Sequence, residues 1–587
     1  MPLSRLPMLL ASVLCAAAPL VAQVPRRQPQ EIIKTAPRLM VANPYSFTSS
    51  DSATALQVGD GMRARVEKNV GAEYQVISRA DMNHALVEYA YPADAMLPTA
   101  QQRQLAGSLN AKGVITATLS KTQGGALTVT ARFTGINDDV GNVVTVTQKP
   151  NQAPAALGED VSQALQPAIR TYDDARTCMD LRGTNAAKAN ASANKAIQTL
   201  PTHGLAHWCQ AVMLLDKKNR ADSLEASKHL HAASQGDPLS LPVWNQVRVR
   251  AQLEVGYLYN KKTHADSVEG GRQEDSVVSA YKQMLIIAPT NQPLREEAFK
   301  AFIGYGHPDA AQAAAEEGLR IDPTNADLYD LLSNACVYRE NYKCAVDALE
   351  QVAANDSAKA DSAFYLKITV MAAQQPDTAR LLKWSQRGYR KYPTNLTIEK
   401  QLLNAYNLSG MTDSAIALTK DLMVKDPAGS VPAALAAAQT LQAQKKIDEA
   451  MPFLDFVVAT GDANSKQAAA TVLLNGALPY LQVPQDFDKA GTLLRKVTTW
   501  ADPAGRVYPI ANYYLGLSIL QQIAKIDPEA EKQKSCELAR KEEGMAADAA
   551  QALKGGASYK PDDVAKFQKY LDGLKPRIAS MQKAYCK

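Results

Sequence analysis

Apolar residues in the second half of the chain recur with the spacing of short helices joined in pairs. The best copy is residues 326–357, where positions i, i+3 and i+7 predict a helix carrying Tyr329, Leu332, Cys336 and Val337. After a turn at Arg339–Tyr342, a second stripe predicts a helix carrying Ala345, Ala348, Leu349 and Val352. So short a hairpin cannot bury its own stripe, and the pattern therefore predicts an array of hairpins that cover one another.

Prolines mark the ends of these units. Pro289, Pro323, Pro393 and Pro427 are separated by 34, 70 and 34 residues. Proline ends a helix because its ring blocks helical hydrogen bonding and disfavours helical angles in the preceding residue. The step of 70 holds one more unit, in which Asn-Asp-Ser fills the proline position near Ser357. A period near 34 is typical of helix–turn–helix units that stack into a superhelix.

In its residues the unit resembles the tetratricopeptide repeat. Leu332, Ala345 and Leu349 stand at the family's leucine, first small and aromatic positions, and Ser357 at its proline position. Further copies, at 292–323 and 396–427, carry Ala311, Ala315, Leu402, Tyr406 and Ala415. The signature Trp-x-x-Leu-Gly-x-x-Tyr is rarely complete, and Leu515-Gly516 is one surviving Leu-Gly. The resemblance implies an all-α superhelical repeat solenoid that binds proteins or peptides on its concave face.

Residues 37–148 show a different pattern, in which short apolar runs predict strands. We expect strands at 38–44, 74–78, 113–120, 127–134 and 142–147, and helices at 50–70, 80–89 and 99–109. Ser49, Ser50 and Asp51 are candidates to cap the first helix. Two strand–helix alternations followed by three strands predict a small α/β domain with a mixed sheet.

Short motifs occur at characteristic points of this order. They are Asp60-Gly61 in the first helix, Val76–Met82 at the second strand and the start of its helix, and Gly113–Ile115 in the third strand. With these motifs, residues 37–146 resemble the TolB-like amino-terminal domain, a group that includes CsgG-like envelope proteins. The resemblance implies envelope-associated assembly or sensing rather than catalysis.

Composition divides the rest of the chain into segments. Residues 149–160 are rich in Pro, Asn and Gly and predict a hinge, and residues 161–527 predict nine or ten repeats. Within them, residues 260–274 predict a polar loop inserted between the two helices of one repeat. Residues 528–587 are charge-rich and predict the helices that cap the array.

The start of the chain predicts export. Arg5 and the apolar core Met8–Leu14, followed by small residues, predict a signal peptide over residues 1–22, with a polar tether over 23–36. Lipidation at Cys15 is the rival interpretation, which the large residue before it disfavours. No later stretch has the roughly 20 apolar residues that a membrane span needs. We therefore expect a periplasmic or outer-membrane-associated protein, with peripheral membrane contact left open.

Six cysteines remain after the predicted cleavage. In an oxidising compartment they would be accounted for by three disulfides, Cys178–Cys209, Cys336–Cys344 and Cys536–Cys586. Free buried thiols are the alternative, because cysteine also serves as a small core residue. No Cys-x-x-Cys motif occurs, so the sequence gives no support to redox catalysis.

Other candidate chemistry is sparse. His203, His207, His229 and His231 could meet across a helical hairpin, but His229 and His231 point to different helix faces, which favours surface histidines over a metal site. Gly59-Asp60-Gly61 lacks the glycines and lysine of a phosphate loop. The 64 basic and 59 acidic residues form no basic aromatic face, which disfavours nucleic acid. We expect no catalytic residue, metal or cofactor.

The resemblance also implies where a peptide would lie. The helix positions that face the groove hold the candidate residues Asn334, Tyr338, Lys400, Asn404 and Asn407. Lys400 with Asn404 resembles the first half of a carboxylate clamp, but the following repeats lack the second half. A solvated polar groove is the alternative interpretation. In the repeat at 326–357, Asp327 and Asp330 make the groove locally acidic.

Together these patterns predict an exported, non-enzymatic scaffold or adaptor. Its repeats would grip an envelope protein or peptide while the α/β domain docks elsewhere. The alternative is an accessory or hydrolytic enzyme of the envelope with an unrecognised active site, for which four tryptophans offer few groove aromatics to hold carbohydrate.

Overall fold

The computed structural model describes residues 36–261, 264–482 and 485–586, without the side chains of residues 261, 264 and 265. The predicted signal peptide (1–22), the rival lipidation at Cys15 and residues 23–35 of the predicted tether lie outside these ranges. The chain divides into two compact units, with the division between Leu294 and Arg295. Each unit is described separately.

The first unit opens with a six-stranded mixed sheet. Its strands are β1 (Arg38–Val41), β2 (Tyr45–Ser46), β3 (Gln75–Val76), β4 (Ala111–Lys121), β5 (Leu127–Gly135) and β6 (Asn142–Thr147). The order across the sheet is β3-β1-β4-β5-β6, and the short β2 also pairs with β4. β1 is parallel to β3 and β4, whereas β4, β5 and β6 form an antiparallel meander. The predicted mixed sheet is confirmed; the sequence pattern did not resolve β2.

Four helices pack with this sheet: α1 (Ser52–Val70), α2 (Arg79–Glu88), α3 (Thr99–Ser108) and α4 (Pro154–Arg170). α4 lies very close to α1. A Cβ atom added to Gly158 would overlap the backbone oxygen of Val58, and a Cβ atom added to Gly61 would overlap the backbone oxygen of Ala155. The hinge predicted at 149–160 is therefore wrong in its second half. Residues 154–160 begin a helix of the sheet domain, since α4 carries an apolar face that is buried in the same core as α1 and the sheet.

Three helical hairpins complete the first unit. Their helices are α5 (Tyr172–Leu181), α6 (Ala186–Thr199), α7 (Gly204–Leu215), α8 (Arg220–Gly236), α9 (Leu241–Lys261) and α10 (His264–Ile287). One hydrophobic core joins β5, α1 and α4 to α5, α6, α7 and the start of α9. Its sheet side includes the predicted inward row of β5, Leu127, Val129, Ala131 and Phe133. The sheet and the first hairpins therefore share one core, in contrast to the separate domain that the sequence suggested.

A buried ion pair fastens the hairpins to the sheet. Asp237, at the end of α8, is fully buried, and its carboxylate lies 2.7 Å from the Arg132 guanidinium of β5. The same carboxylate accepts a hydrogen bond from the backbone N–H of Gly141 at 2.6 Å. Gly204, at the start of α7, donates its N–H to the Asn142 side chain at 2.9 Å. These contacts fix the orientation of the first hairpins on the sheet edge.

The insertion predicted as a polar loop at 260–274 is mostly helical. α9 is 21 residues long and ends at Lys261, and α10 is 24 residues long and begins at His264. The prediction of a loop is therefore wrong for residues 264–274. Polar side chains are compatible with a helix wherever one face is solvated, so the insertion lengthens the hairpin instead of interrupting it.

The second unit begins in the first turn of α11 and is helical throughout its described residues. Its helices are α11 (Gln292–Gly304), α12 (Pro308–Ile321), α13 (Ala326–Tyr338), α14 (Tyr342–Asn355), α15 (Ser362–Ala373), α16 (Thr378–Lys391), α17 (Leu396–Leu408), α18 (Thr412–Lys425), α19 (Pro427–Ala443), α20 (Ile447–Thr460), α21 (Ala463–Ala477), α22 (Phe487–Trp500), α23 (Val507–Gln533), α24 (Cys536–Gly555) and α25 (Pro561–Tyr585). The hairpin α13–α14 has the predicted bounds and buries the predicted Ala345, Leu349 and Val352.

The recurring Pro-Thr-Asn phrase does more than end a helix. In each copy its asparagine begins the next one: the Asn325 side chain accepts hydrogen bonds from the N–H groups of Asp327 and Leu328. Asn395 caps α17 in the same way, and the Asn291 side chain accepts from the N–H of Leu294. An N-cap satisfies helix N–H groups that have no partner within the helix. The phrase therefore sets where every such hairpin starts.

The last helices differ from the predicted cap in one respect. The sequence placed the start of the cap at residue 528, yet Pro528 lies inside the continuous α23. Proline removes one helical hydrogen bond, but Ile523 and Ala530 on either side of it are fully buried, and this packing holds the helix together. Within the described residues, no helix has the length and apolar character that crossing a bilayer requires.

Candidate functional site

The groove residues predicted from the sequence lie on the first helices of successive hairpins in the second unit. On α13, α15 and α17, the side chains at the second, fifth or sixth, ninth and twelfth or thirteenth residues after the N-cap define one set of positions. We call it the A-helix face, and it comprises Asp327, Asp330, Asn334 and Tyr338 of α13, Ala363, Lys367 and Val370 of α15, and Thr397, Lys400, Asn404, Asn407 and Leu408 of α17.

Lys367 joins the α13 and α15 parts of this face. Its ammonium lies 2.7 Å from a carboxylate oxygen of Asp330 and 2.7 Å from the amide oxygen of Asn334. A second lysine, Lys359, pairs with Asp327 one turn away. The acidic groove expected on α13 is thus neutralised by Lys367 of the next hairpin and by Lys359 of the connection that precedes it. Asn334 is oriented by these contacts, with its amide group 3.4 Å from Asp330.

On α17 the predicted half-clamp is already engaged within the chain. The Lys400 ammonium lies 2.7 Å from the carboxylate of Asp426, which also caps α19. Lys400 and the Gly429 N–H hold the pKa of Asp426 below its usual value. Asn404 is exposed, and Asn407 lies at a cleft of about 310 Å³ with Tyr406 and Thr440. Lys400 therefore links two successive repeats, and it would have to leave Asp426 to bind a peptide carboxylate.

Beneath Lys400, a buried carboxylate positions α17 on α18. The Glu399 side chain is fully buried, and burial raises its pKa. Its two oxygens accept hydrogen bonds from the Lys425 ammonium at 3.0 and 3.2 Å, which offsets the loss of hydration. Lys425 also pairs with Asp421 at 2.7 Å. This buried contact fixes the face that α17 turns outward.

Three large apolar side chains stand exposed at the C-terminal halves of these helices. Tyr338 is 63% exposed, Val370 39% and Leu408 51%. Sequence reasoning found Tyr338 but missed Val370, Leu408 and Lys367. Counting from the N-cap would have found two of them: the ninth residue after Asp361 is Val370, and Leu408 is the thirteenth after Asn395, as Tyr338 is after Asn325. The face thus combines lysine–carboxylate pairs with exposed apolar groups.

The six cysteines form three disulfide bonds in the structure, with the pairing predicted from the sequence. Cys178 of α5 is joined to Cys209 of α7. Cys336 and Cys344 join the two helices of one hairpin across their turn. Cys536 joins the start of α24 to Cys586 at the end of α25. None of these sulfurs lies on the A-helix face, so the cysteines brace the helices that present it.

The four histidines named as metal-site candidates do not form one cluster. His207 and His229 face each other with 2.9 Å between their Nδ1 atoms, whereas His231 contacts Gln235. His203 is 1% exposed and His207 8%, so the expectation of surface histidines is wrong for both. His203 is buried because it caps α7 against the sheet, and its Nδ1 accepts from the Ala206 N–H. In the described residues, no three His, Cys, Asp or Glu side chains could hold a metal ion.

The motif residues of the sheet domain form a charged network. Asp60 lies 2.6 Å from the Arg63 guanidinium and 2.8 Å from that of Arg79. Arg79 in turn pairs with Asp94, and that hydrogen bond lowers the pKa of Asp94 to about 2. Arg63 also donates to the backbone oxygen of Val41. The Asp60-Gly61 motif therefore ties α1 to the ends of β1 and β3.

Comparison with known proteins gives fold similarity alone. No protein-family model matches the chain, and no curated protein matches it in sequence. The solved structure of Naa15/Naa10 bound to HypK-THB is 16% identical, with 70% of this chain and 66% of that chain covered and a TM-score of 0.34. The C-terminal part of a tetratricopeptide repeat protein from Cytophaga hutchinsonii is 12% identical, with 42% and 98% covered and a TM-score of 0.29.

YrrB, described as a tetratricopeptide protein with an unusual peptide-binding site, is 16% identical, with 36% of this chain and 96% of that chain covered and a TM-score of 0.26. The described chain itself consists of a small mixed-sheet domain followed by consecutive helical hairpins. Their order, N-caps and period of about 34 residues are those of tetratricopeptide-like helical repeats.

Proposed function

We propose that this protein is an exported, non-enzymatic scaffold that binds an envelope protein or peptide through the A-helix face of its second unit. The observation that carries the proposal is that Tyr338, Val370 and Leu408 stand exposed on the helices that also carry the lysine–carboxylate pairs of the A-helix face. Exposed apolar side chains gathered on one surface and bordered by polar groups are typical of a protein-interaction site.

The chemistry of the face defines the kind of partner. Tyr338, Val370 and Leu408 would take apolar side chains of an extended segment. Lys367 and Lys400 are held by Asp330 and Asp426, so a partner with many carboxylates would have to displace these pairs. A segment with apolar side chains and neutral polar groups therefore fits better than a strongly acidic one. Asn404 and Asn407 supply hydrogen bonds to its backbone.

The test of this proposal is in-cell photocrosslinking. A photoreactive residue is placed at position 370, in the centre of the face, and crosslinked proteins are identified by mass spectrometry. The matched control carries the same residue at position 424, because Val424 is 80% exposed in the same unit but lies on α18. We expect a reproducible partner with the probe at 370 that is missing with the probe at 424.

A triple substitution then measures the contribution of the apolar row. Tyr338→Ser, Val370→Ser and Leu408→Ser are compared with Ile321→Ser, Val424→Ser and Tyr570→Ser, which change three exposed apolar residues elsewhere in the unit. We expect the first set to abolish partner capture and the second to preserve it. Equal capture by both variants, or equal loss in both, would contradict a specific A-helix face.

Export is a separate part of the proposal. It is supported by the predicted signal peptide at 1–22 and by the three cysteine pairs, which persist in an oxidising compartment. Fractionation of the native cells, with sequencing of the mature amino terminus, tests it. A chain recovered from the cytoplasm with residues 1–22 intact would refute export.

The alternative is a hydrolytic or accessory enzyme. Incubation of the purified protein with ester, peptide and glycoside substrates tests this alternative. Activity that survives re-purification would replace the scaffold proposal. A protein without such activity but with a partner at position 370 agrees with a binding role.

A further inference from the structure

A second surface with binding chemistry lies in the first unit, between α8 and α9. It is a cleft of about 450 Å³ that is open to solvent. The α7–α8 turn and the first half of α8 form one wall, and the second half of α9 forms the other. It shares no residue with the A-helix face, so inferences about the two surfaces are independent.

The walls of this cleft come from helices of unequal length. α7 has 12 residues and α8 has 17, whereas α9 has 21 and α10 has 24. The second half of α9 carries Leu253, Glu254 and Tyr257 into the cleft opposite the start of α8, and Gln273 of α10 also lines it. Of the described part of the insertion, residues 264–274, Gln273 lines the cleft.

Basic side chains dominate the charged lining. Lys218, Arg220 and Arg250 face one carboxylate, that of Glu254. Glu254 pairs with Arg220, whose guanidinium also stacks on the Tyr257 ring with 3.9 Å to its centroid. This pair leaves Lys218 and Arg250 as net positive charge. The N-terminus of α8, which starts at Arg220, adds the positive end of a helix dipole.

Arg250 is poised to donate hydrogen bonds. Its side chain lines the cleft, where Nη1 donates to the Ser223 hydroxyl at 3.2 Å, while its Nε is enclosed by the protein. Among the described residues, no carboxylate pairs with Arg250 or with Lys218. A partly buried guanidinium without a carboxylate partner favours a carboxylate ligand, because charge-assisted hydrogen bonds replace the hydration that burial removes.

Apolar side chains lie beside these charges. Leu224 of α8 is 40% exposed, Leu253 of α9 is 57% exposed and Tyr257 is 41% exposed. All three line the cleft. A ligand that contacted them together with Arg250 would need both an apolar group and a carboxylate within a few ångströms of each other.

We propose that this cleft binds an acidic peptide segment in which an Asp or Glu is next to a large apolar residue. The carboxylate bonds to Arg250 and Ser223, and Lys218 adds long-range attraction. The apolar side chain lies between Leu224 and Leu253. The preference of this cleft for acidic segments contrasts with the neutral apolar segment that suits the A-helix face.

Fluorescence polarisation with the purified full chain tests the proposal. The probe is a short fluorescein-labelled Gly/Ser peptide, amidated at its C-terminus, with Asp-Glu-Leu-Phe at its centre. The matched probe carries Asn-Gln-Leu-Phe. We expect the acidic probe to bind with a Kd on the order of 10 to 100 μM and the amide probe roughly tenfold more weakly. Raising the salt concentration from about 50 mM to about 300 mM should weaken the binding of the acidic probe but not that of the amide probe.

Substitutions locate the binding. Arg250→Gln should weaken the acidic probe roughly tenfold, and Leu224→Asp should weaken it further by repulsion. Lys218 lies in an exposed turn, so Lys218→Gln tests the electrostatic attraction of the acidic probe if Arg250→Gln disturbs folding. Lys228→Gln is the control, because it removes a positive charge from α8 at a residue that pairs with Glu225.

Two results would overturn the cleft proposal: equal binding of both probes, or binding that neither Arg250→Gln nor Lys218→Gln changes. Lack of saturable binding by the unsubstituted chain would also overturn it. None of these results affects the photocrosslinking at position 370, so failure of the cleft and failure of the A-helix face are distinguishable.

Discussion

At the residue scale, His203 is a buried titratable group whose protonation opposes folding. Burial is the main cause that lowers its pKa to about 4, and His207 lowers it further. Asp174 acts in the opposite direction. Because Nδ1 accepts from the Ala206 N–H, the proton of the neutral ring is on Nε2, which is buried near the backbone of Ala168. A second proton on this ring would destroy the cap of α7.

This arrangement predicts a defined pH dependence. An unfolded histidine titrates near 6.5, so the stability that His203 contributes is full above that pH and is lost as the pH falls toward 4. The shift corresponds to about 3 kcal/mol. We expect hydrogen exchange in α7 to accelerate between pH 6.5 and pH 4.5, relative to the intrinsic rate, as measured by mass spectrometry.

His203→Asn separates the cap from the titration. Asparagine keeps a side-chain acceptor for the N-cap but does not titrate, so the variant should show a flatter pH dependence in α7. His84→Asn is the matched control, since His84 is an exposed residue of α2. If unsubstituted protein and His203→Asn lost protection in parallel, another group would control the acid sensitivity.

At the scale of elements, the disulfides join helices over loops of different length. Cys536–Cys586 closes 50 residues and Cys336–Cys344 closes 8. Closing a longer loop removes more entropy from the unfolded chain. The resulting stabilisation is about 4 kcal/mol for Cys536–Cys586 and about 2.5 kcal/mol for Cys336–Cys344. Peptide mapping without reduction should recover both pairs and Cys178–Cys209.

Thermal melting of paired alanine variants then ranks the bonds. We expect Cys536→Ala with Cys586→Ala to lower the melting temperature more than Cys336→Ala with Cys344→Ala. Alanine avoids burying a new hydroxyl at Cys336, which is fully buried. Melting the unsubstituted protein with a reductant controls for the packing change. A reversed order would show that local strain or packing outweighs loop length.

Also at this scale, the N-caps explain why the repeats could be predicted so well. Asn325 and Asn395 lie at fixed distances from the apolar stripes, so hairpin bounds follow from local sequence. The loop predicted at 260–274 was wrong for the opposite reason. Polar residues there signal solvent exposure, and exposure alone does not distinguish a loop from the outer turns of a long helix.

At the scale of the whole molecule, the shared core makes the sheet domain inseparable from the first hairpins. Arg132 and Asp237 form a buried pair across this junction, and the core passes from β5 through α4 to α7. Removing residues 37–148 would expose the apolar face of α4 and leave Asp237 without its partner. An unpaired buried charge alone costs about 3 to 5 kcal/mol.

Truncation therefore has a predictable outcome. We expect residues 37–288 to be soluble and to unfold cooperatively, and residues 149–288 to aggregate or to lack cooperative unfolding. Size-exclusion chromatography and circular dichroism measure both properties. Folding of residues 149–288 with the stability of the longer fragment would refute the shared core. The comparison also shows that deleting the sheet domain is not a neutral way to map a binding partner.

Local sequence by itself determined the mixed sheet, the hairpin period and the bounds of helices such as α13 and α14. These features depend on apolar spacing, prolines and caps within a few residues of one another. It also placed Asn334, Tyr338, Lys400, Asn404 and Asn407 on helices that present the A-helix face, because a period assigns equivalent positions.

The tertiary structure alone decided which groups meet. Lys400 is engaged by Asp426, Lys367 bridges Asp330 and Asn334, and Asp237 reaches Arg132 across 105 residues of sequence. Such pairings depend on how one helix packs against another, and no local pattern encodes them. The cleft beside Arg250 has the same origin, because its walls are the α7–α8 turn, α8 and α9, which meet only in the folded chain.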